Sequence, residues 1–165
     1  MESAVHKKLM AKAGRLLARR AYGRAELGEK LAPLAGASDV EQILDHLTDL
    51  RLLNDANYAY NFSFHRLTEL GWGPARVRRE LIQRRLEGTI VEAAIARVLD
   101  DSGEDAILGR YLARYTARRG WPADRKGIGR LVTHLRRRGF SPERVYRALR
   151  EQIGAEAWER FDTGE

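Results

Sequence analysis

Two stretches of this chain superimpose with a shift of 54 residues, and that repetition narrows the folds open to it. "VRRELIQRRLEGTIVEAAI" (77–95) falls on "LVTHLRRRGFSPERVYRAL" (131–149), so that Val77, Leu81, Leu86, Val91, Ala94 and Ile95 match Leu131, Leu135, Phe140, Val145, Ala148 and Leu149. Within each copy the apolar residues sit close to the three- and four-residue steps of one helix face. Upstream, Gly71-Trp72 recurs as Gly120-Trp121, each time at the end of a helix. The N-terminal third follows the plan more loosely, with Leu27 and Leu31 and then Val40 and Leu44. Self-similarity at this period marks tandem units, each too small to bury a core alone and stabilised by its neighbours.

Nearly every segment carries helical spacing, and none sustains the period-2 alternation of β-branched residues that a strand requires. The fold class expected is therefore all-α: three tandem three-helix repeats forming an elongated, curved array, with about nine helices of roughly 10 to 17 residues. Punctuation supports the count. Gly36 can end one helix and Ser38-Asp39 can cap another beginning at Val40. Gly71-Trp72-Gly73-Pro74 stops a helix and places proline where the next one starts. Gly103, Gly120-Trp121-Pro122 and Gly139 are further breaks, and Asp100 and Asp101 read as the end of a helix and the cap of the next element. The units run 1–54, 55–103 and 104–153, joined at "LLND" (52–55) and "DDSGED" (100–105), with an acidic tail at 154–165.

Charge divides unevenly among these units. Residues 104–153 carry thirteen basic and five acidic side chains, whereas 1–54 carry nine and seven, and 55–103 seven of each. The +7 excess of the chain thus lies almost wholly in the third unit. Such a field attracts a polyanion or an acidic protein face. Cysteine is absent, which removes disulfides, thiolate zinc sites and cysteine nucleophiles. No apolar run approaches the length of a membrane span. The basic N-terminus has no signal-peptide core and continues smoothly into the first unit. A cytoplasmic monomer is expected, without membrane contact.

Enzyme motifs are missing. His6, His46, His65 and His134 are scattered, there is no HExxH, no phosphate-cradling GxxxxGK[ST] and no GxSxG elbow, and "GIG" at 127–129 is too short to hold a phosphate. The expectation is a non-enzyme with no metal and no cofactor. Candidate binding residues are arginines, whose guanidinium suits carboxylate and phosphate. Arg144, Arg147 and Arg150 recur at i, i+3 and i+6 on one face of the last helix, opposite Val145, Ala148, Leu149 and Ile153. Arg110, Arg114 and Arg118 form a second row at steps of four. Arg136, Arg137 and Arg138 fan around their helix, so they cannot all address one partner; Arg137 joins the candidates, and the trio also suits the negative end of the helix dipole. In the middle unit Arg76 and Arg79 stand among equal numbers of acids. Of the aromatic string Tyr58, Tyr60, Phe62 and Phe64, Tyr58 and Phe62 are expected in the core, and Trp72 and Trp121 as plugs between helices.

Three stretches, "LLARRAYGRAELGEKL" (16–31), "LLNDANYAYNFSFHR" (52–66) and "GWGPARVRRELIQRRL" (71–86), together with "LRRRGFSPERVYRAL" (135–149), resemble the RecX regulatory proteins of bacteria. The likeness spans roughly 15 to 153. It implies three tandem three-helix repeats and a partner, the RecA recombinase, chiefly as its filament on single-stranded DNA. It also implies lodging in the filament groove and modulation, usually inhibition, of recombinase, ATPase and co-protease activities. On that resemblance the middle-unit arginines would line the same concave surface as the third unit's. Direct binding of DNA by an Arg-rich helix, and a helical scaffold for some other partner, are the alternatives. One departure stands out: Arg85-Leu86 occupies the place where glycine and an apolar residue are usual, as in Gly139-Phe140.

Overall fold

The helical periods resolve into nine α-helices and no strand among the described residues. They are α1 (Ala4–Leu17), α2 (Arg24–Leu31), α3 (Ala37–Asp49), α4 (Asp55–Phe64), α5 (Pro74–Gln83), α6 (Gly88–Ser102), α7 (Glu104–Arg119), α8 (Arg125–Arg137) and α9 (Pro142–Ile153). A 3₁₀ turn, Ala32–Leu34, follows α2, and a π turn, His65–Glu69, prolongs α4. The computed structural model describes residues 4–154 and Trp158. The acidic tail thus lies outside the described residues but for Gly154 and Trp158.

Several helix ends differ from the sequence expectation. α3 begins at Ala37 with Gly36 as its extended N-cap, so Ser38 and Asp39 lie in its first turn and cap nothing. Gly36 opens this helix rather than closing the previous one, because the 3₁₀ turn has already ended α2. Asp100 and Asp101 lie inside α6, and α7 starts from Gly103 without a side-chain cap. By contrast, the Gly-Phe-Ser-Pro joint behaves as its residues dictate. Gly139 takes φ +97°, Phe140 is buried, the Ser141 hydroxyl accepts from the Arg144 amide, and Pro142 opens α9.

Contacts divide the chain into two compact units, Met1–Asn61 with Glu80–Ala94, and Phe62–Arg79 with Ile95–Glu165. The first has a continuous core of Leu9, Ala13, Leu27, Leu31, Val40, Ile43, Leu44, Leu47 and Leu53. The Arg24 amide, at the start of α2, has no capping side chain beside it. It donates instead to Asp55 Oδ1, 31 residues on, at 2.7 Å. Arg85 takes a left-handed φ of +60° where α5 ends, the position Gly139 occupies at the end of α8, and buried Leu86 answers buried Phe140. The joint therefore keeps its geometry with arginine in a conformation that favours glycine.

In the second unit the core is Leu67, Val77, Ile107, Leu108, Leu112, Leu131, Leu135, Val145 and Leu149. Its tightest place joins two turns. The Gly73 amide donates to the Arg138 carbonyl at 2.7 Å, and the Ala75 amide to the Gly139 carbonyl at 3.2 Å. A Cβ on Gly73 would stand 2.2 Å from the Gly139 carbonyl carbon, and one on Gly139 would stand 2.4 Å from the Arg76 amide nitrogen. Only glycine allows main chain to meet main chain here.

The aromatic string is placed otherwise than expected. Ala59, Ser63 and Leu67 are the buried residues of this stretch, while Tyr58, Tyr60 and Phe62 are half-buried and Phe64 is exposed. Tyr58 and Phe62 therefore flank the core instead of filling it. Trp121 is 42% exposed, so it is no plug between helices. Trp72 is half-buried.

Gly73→Ala is expected to lower the unfolding free energy by about 2–4 kcal/mol, from overpacking against unyielding backbone. Gly14→Ala, with open space around it on α1, is expected to raise it by about 0.5–1 kcal/mol. Arg85→Gly should be neutral to stabilising by about 1 kcal/mol, the relief of left-handed strain offset by chain entropy. Chemical denaturation with circular dichroism reads all three.

Candidate functional site

All nine candidate arginines belong to the second unit, where the folding of α5, α7, α8 and α9 sorts them by partner. On α9 the row divides. Arg144 Nη1 pairs with Asp105 Oδ1 at 2.7 Å and its Nε with Glu104 at 3.0 Å. Arg147 Nη2 reaches Asp105 Oδ2 at 2.8 Å. Arg150 is exposed and makes no ion pair among the described residues. Hydrogen bonding from Arg144 holds the Asp105 carboxyl below its usual range, whereas burial pushes the Glu104 carboxyl up, against the pull of Arg144. Two of the three α9 cations are therefore largely neutralised within the fold. These pairs are half-exposed and add little to stability.

Of the α7 row, Arg110 and Arg118 are exposed, and Arg114 donates to the Glu69 carbonyl at 3.2 Å. On α5, the Arg76 guanidinium lies 3.7 Å over the Trp72 ring, a contact that holds it by cation–π attraction, and Arg79 is exposed. Arg137 is exposed on α8 beside Lys126 and Arg130.

The structure also uses a residue that helical spacing could not single out. Arg138, third of the arginine trio, turns inward while Arg136 and Arg137 stay exposed. Its Nε donates to the Gly71 carbonyl at 3.0 Å, its Nη2 donates to the Leu70 carbonyl, and its guanidinium stacks 4.1 Å from the Tyr111 ring. Burial pulls its pKa below the ordinary arginine value; Tyr111 opposes this, and nearby Arg76 and Arg114 reinforce it. Arg76, Arg114 and Arg138 thus converge around the Gly71-Trp72 turn, with Arg66 4.6 Å from the same tryptophan ring. The sequence signal was only the proximity of Arg138 to the Gly139 break. Its inward turn depends on carbonyls 67 and 68 residues away.

Beside it, the Tyr111 hydroxyl and His134 Nε2 stand 2.6 Å apart, and the His134 ring lies 5.1 Å from that of Tyr115. Burial lowers the His134 pKa, and Arg138 and Arg119 push it further down. In the first unit, a cavity of about 720 Å³ includes Gly28, Val40, Leu44 and Ile90 in its wall. Its two arginines are engaged, Arg24 with Glu41 and Asp45, and Arg85 with Glu29. Among the described residues no cluster of histidines and acids could hold a metal ion, and no helix is long and apolar enough to cross a membrane.

The class that this fold defines is the all-helical protein. The family model described as RecX, second three-helix domain, matches residues 54–95. The chain is 34% identical to the regulatory protein RecX of Pseudomonas tolaasii over 135 residues, 81% of this chain and 84% of that one. It is 36% identical to the RecX of Halorhodospira halophila over 133 residues, 79% and 80% of the two chains. Among solved structures, RecX from Lactobacillus salivarius superimposes with a TM-score of 0.74 at 23% identity, covering 89% of this chain and 96% of that one. A second RecX crystal structure gives 0.71 at 19% identity, covering 89% and 72%. The chain belongs to the RecX family of regulatory proteins.

Because the folded His134 binds its proton less readily than the unfolded one, its contribution is whole above the ordinary imidazole pKa of about 6.5. It declines as pH falls below that value. His134→Gln should flatten the loss of stability between about pH 6.5 and 5, measured by denaturant titration at each pH.

Proposed function

We propose that the protein is a non-enzymatic, cytoplasmic regulator of the RecA recombinase, binding its filament on single-stranded DNA and inhibiting recombinase, ATPase and co-protease activity. Family membership over four-fifths of the chain carries this reading. The concentration of basic charge in residues 104–153 supports it, since that field would draw the chain onto a polyanionic filament. In this reading the three tandem repeats, 1–54, 55–103 and 104–153, span successive protomers, and a monomer suffices. Inhibition is steric and allosteric: a chain lodged across protomers biases ATP turnover and filament disassembly.

The binding residues in this reading are Arg110, Arg118, Arg150, Arg137 and Arg79, which make no ion pair among the described residues. Arg144, Arg147, Arg114 and Arg76 contribute by exchanging internal partners for those of the filament. Asp105 is the internal competitor for Arg144 and Arg147.

The test is the single-stranded-DNA-dependent ATPase of RecA with the protein added up to stoichiometric amounts. A fall in rate with shortening of filaments is expected; no change in either sinks the reading. Arg110→Glu, Arg118→Glu and Arg150→Glu together should raise the half-inhibitory concentration about tenfold with helicity unchanged, the size of effect expected when interface charges are reversed.

A further inference from the structure

The two Gly-Trp turns treat their rings differently. Trp72 lies between guanidiniums, Arg76 at 3.7 Å and Arg66 at 4.6 Å. Trp121, between α7 and α8, has no ring stacked on it and no cation over it among the described residues, and it stays 42% exposed. Arg118, Arg119, Arg125 and Lys126 flank it in sequence and are all exposed. The acid of this loop, Asp124, is occupied in capping α8, where it accepts from the Gly127 amide at 2.6 Å. The result is an aromatic tip with a basic border, and tryptophan is among the residues that most often anchor an interface.

The first unit holds the complement. Ala25, Ala35, Val40, Leu44 and Ile90 give its cavity of about 720 Å³ an apolar wall, and a volume of that order suits a compact apolar group. The charges around it are Glu29, Glu41, Asp55 and Glu87 against Arg24 and Arg85, an acidic excess on a chain whose net charge is +7. Both guanidiniums are already held, Arg24 by Glu41 and Asp45, and Arg85 by Glu29. The Glu87 carboxylate is exposed and, among the described residues, accepts from the Thr89 hydroxyl alone, at 2.6 Å. Such a rim repels a polyanion and attracts a cation.

We propose that the chain self-associates head to tail, with Trp121 of one copy entering the first-unit cavity of another while Arg118, Arg119, Arg125 and Lys126 face its carboxylates. Charge complementarity selects this occupant: an apolar wall inside an acidic rim receives an aromatic tip inside a basic border. The ring and the cavity lie in different compact units. The contact is therefore heterologous, each added copy presents a fresh ring or cavity, and association either continues or closes into a ring of subunits. One aromatic anchor buries about 150–250 Å², far below the roughly 1,200 Å² of a stable interface. Association is accordingly weak, and the monomer prevails in dilute solution. Neither nucleic acid nor recombinase takes part, so the proposal stands apart from the function proposed above.

Sedimentation velocity of the full chain, free of nucleic acid, over a concentration series up to about 1 mM tests it. The weight-average sedimentation coefficient is expected to rise with concentration and to fall back in high salt. Trp121→Ala should raise the dissociation constant about tenfold or more with helicity unchanged. Glu41→Lys with Glu87→Lys should do the same; Glu87→Lys alone, a several-fold loss, serves if the double variant does not fold. Mixed together, the ring variant and the cavity variant should associate as heterodimers and go no further, because one keeps the cavity and the other keeps the ring. The proposal is overturned if the parent chain is monomeric throughout, which leaves the cavity to a different occupant, or if Trp121→Ala associates as the parent does. It is equally overturned if two folded variants fail to form dimers when mixed, the result that a symmetric contact between two rings would give.

Discussion

The second unit depends on a place where two backbones touch. Gly73 and Gly139 sit at the starts of chain segments leaving two helix-ending turns, and their lack of side chains lets amide meet carbonyl directly. Every other arrangement nearby follows from that approach. Because the turns are in register, the carbonyls of Leu70 and Gly71 face Arg138, and a cation that would otherwise project to solvent is drawn inward over Tyr111. Charge-assisted bonds to buried carbonyls are stronger than neutral ones, so the arginine locks the two turns that the glycines bring together.

The same unit then sorts its cations by what the fold offers them. Main-chain carbonyls take Arg138 and Arg114, carboxylates on α7 take Arg144 and Arg147, and the Trp72 ring takes Arg76. Of the cations left over, Lys126, Arg130 and Arg137 share one groove. A net charge read from composition overstates the surface available to a partner, because part of it is spent on architecture.

Much of the fold was legible from periodicity. The shift of 54 residues placed Val77 with Leu131, Leu81 with Leu135, Leu86 with Phe140, Val91 with Val145 and Ile95 with Leu149, and all ten are buried. Helix ends were legible where backbone geometry demands one residue type, as at Gly139 and Pro142. They were not legible where a cap comes from afar or is absent, as at Arg24 and Gly36, whereas the break expected at Gly103 does separate α6 from α7. The candidate surface was less readable still. Spacing reveals which arginines share a helix face, but Arg144 and Arg150 look alike in sequence and differ only because Asp105 lies across from the former. The aromatic string misled for a related reason. Ala59 and Ser63 are the buried residues of α4, while its rings are half-buried or exposed.

The bond from the Arg24 amide to Asp55 has a further meaning for how the chain is made. α2 is eight residues long, too short to persist on its own in water. The group that secures its first turn belongs to α4, so it leaves the ribosome 31 residues after the amide it serves. The N-terminal three helices are thus completed from outside, by the opening residue of the segment that follows. A chain interrupted before residue 55 would hold the apolar residues of its first core and lack the carboxylate that anchors one of its three walls.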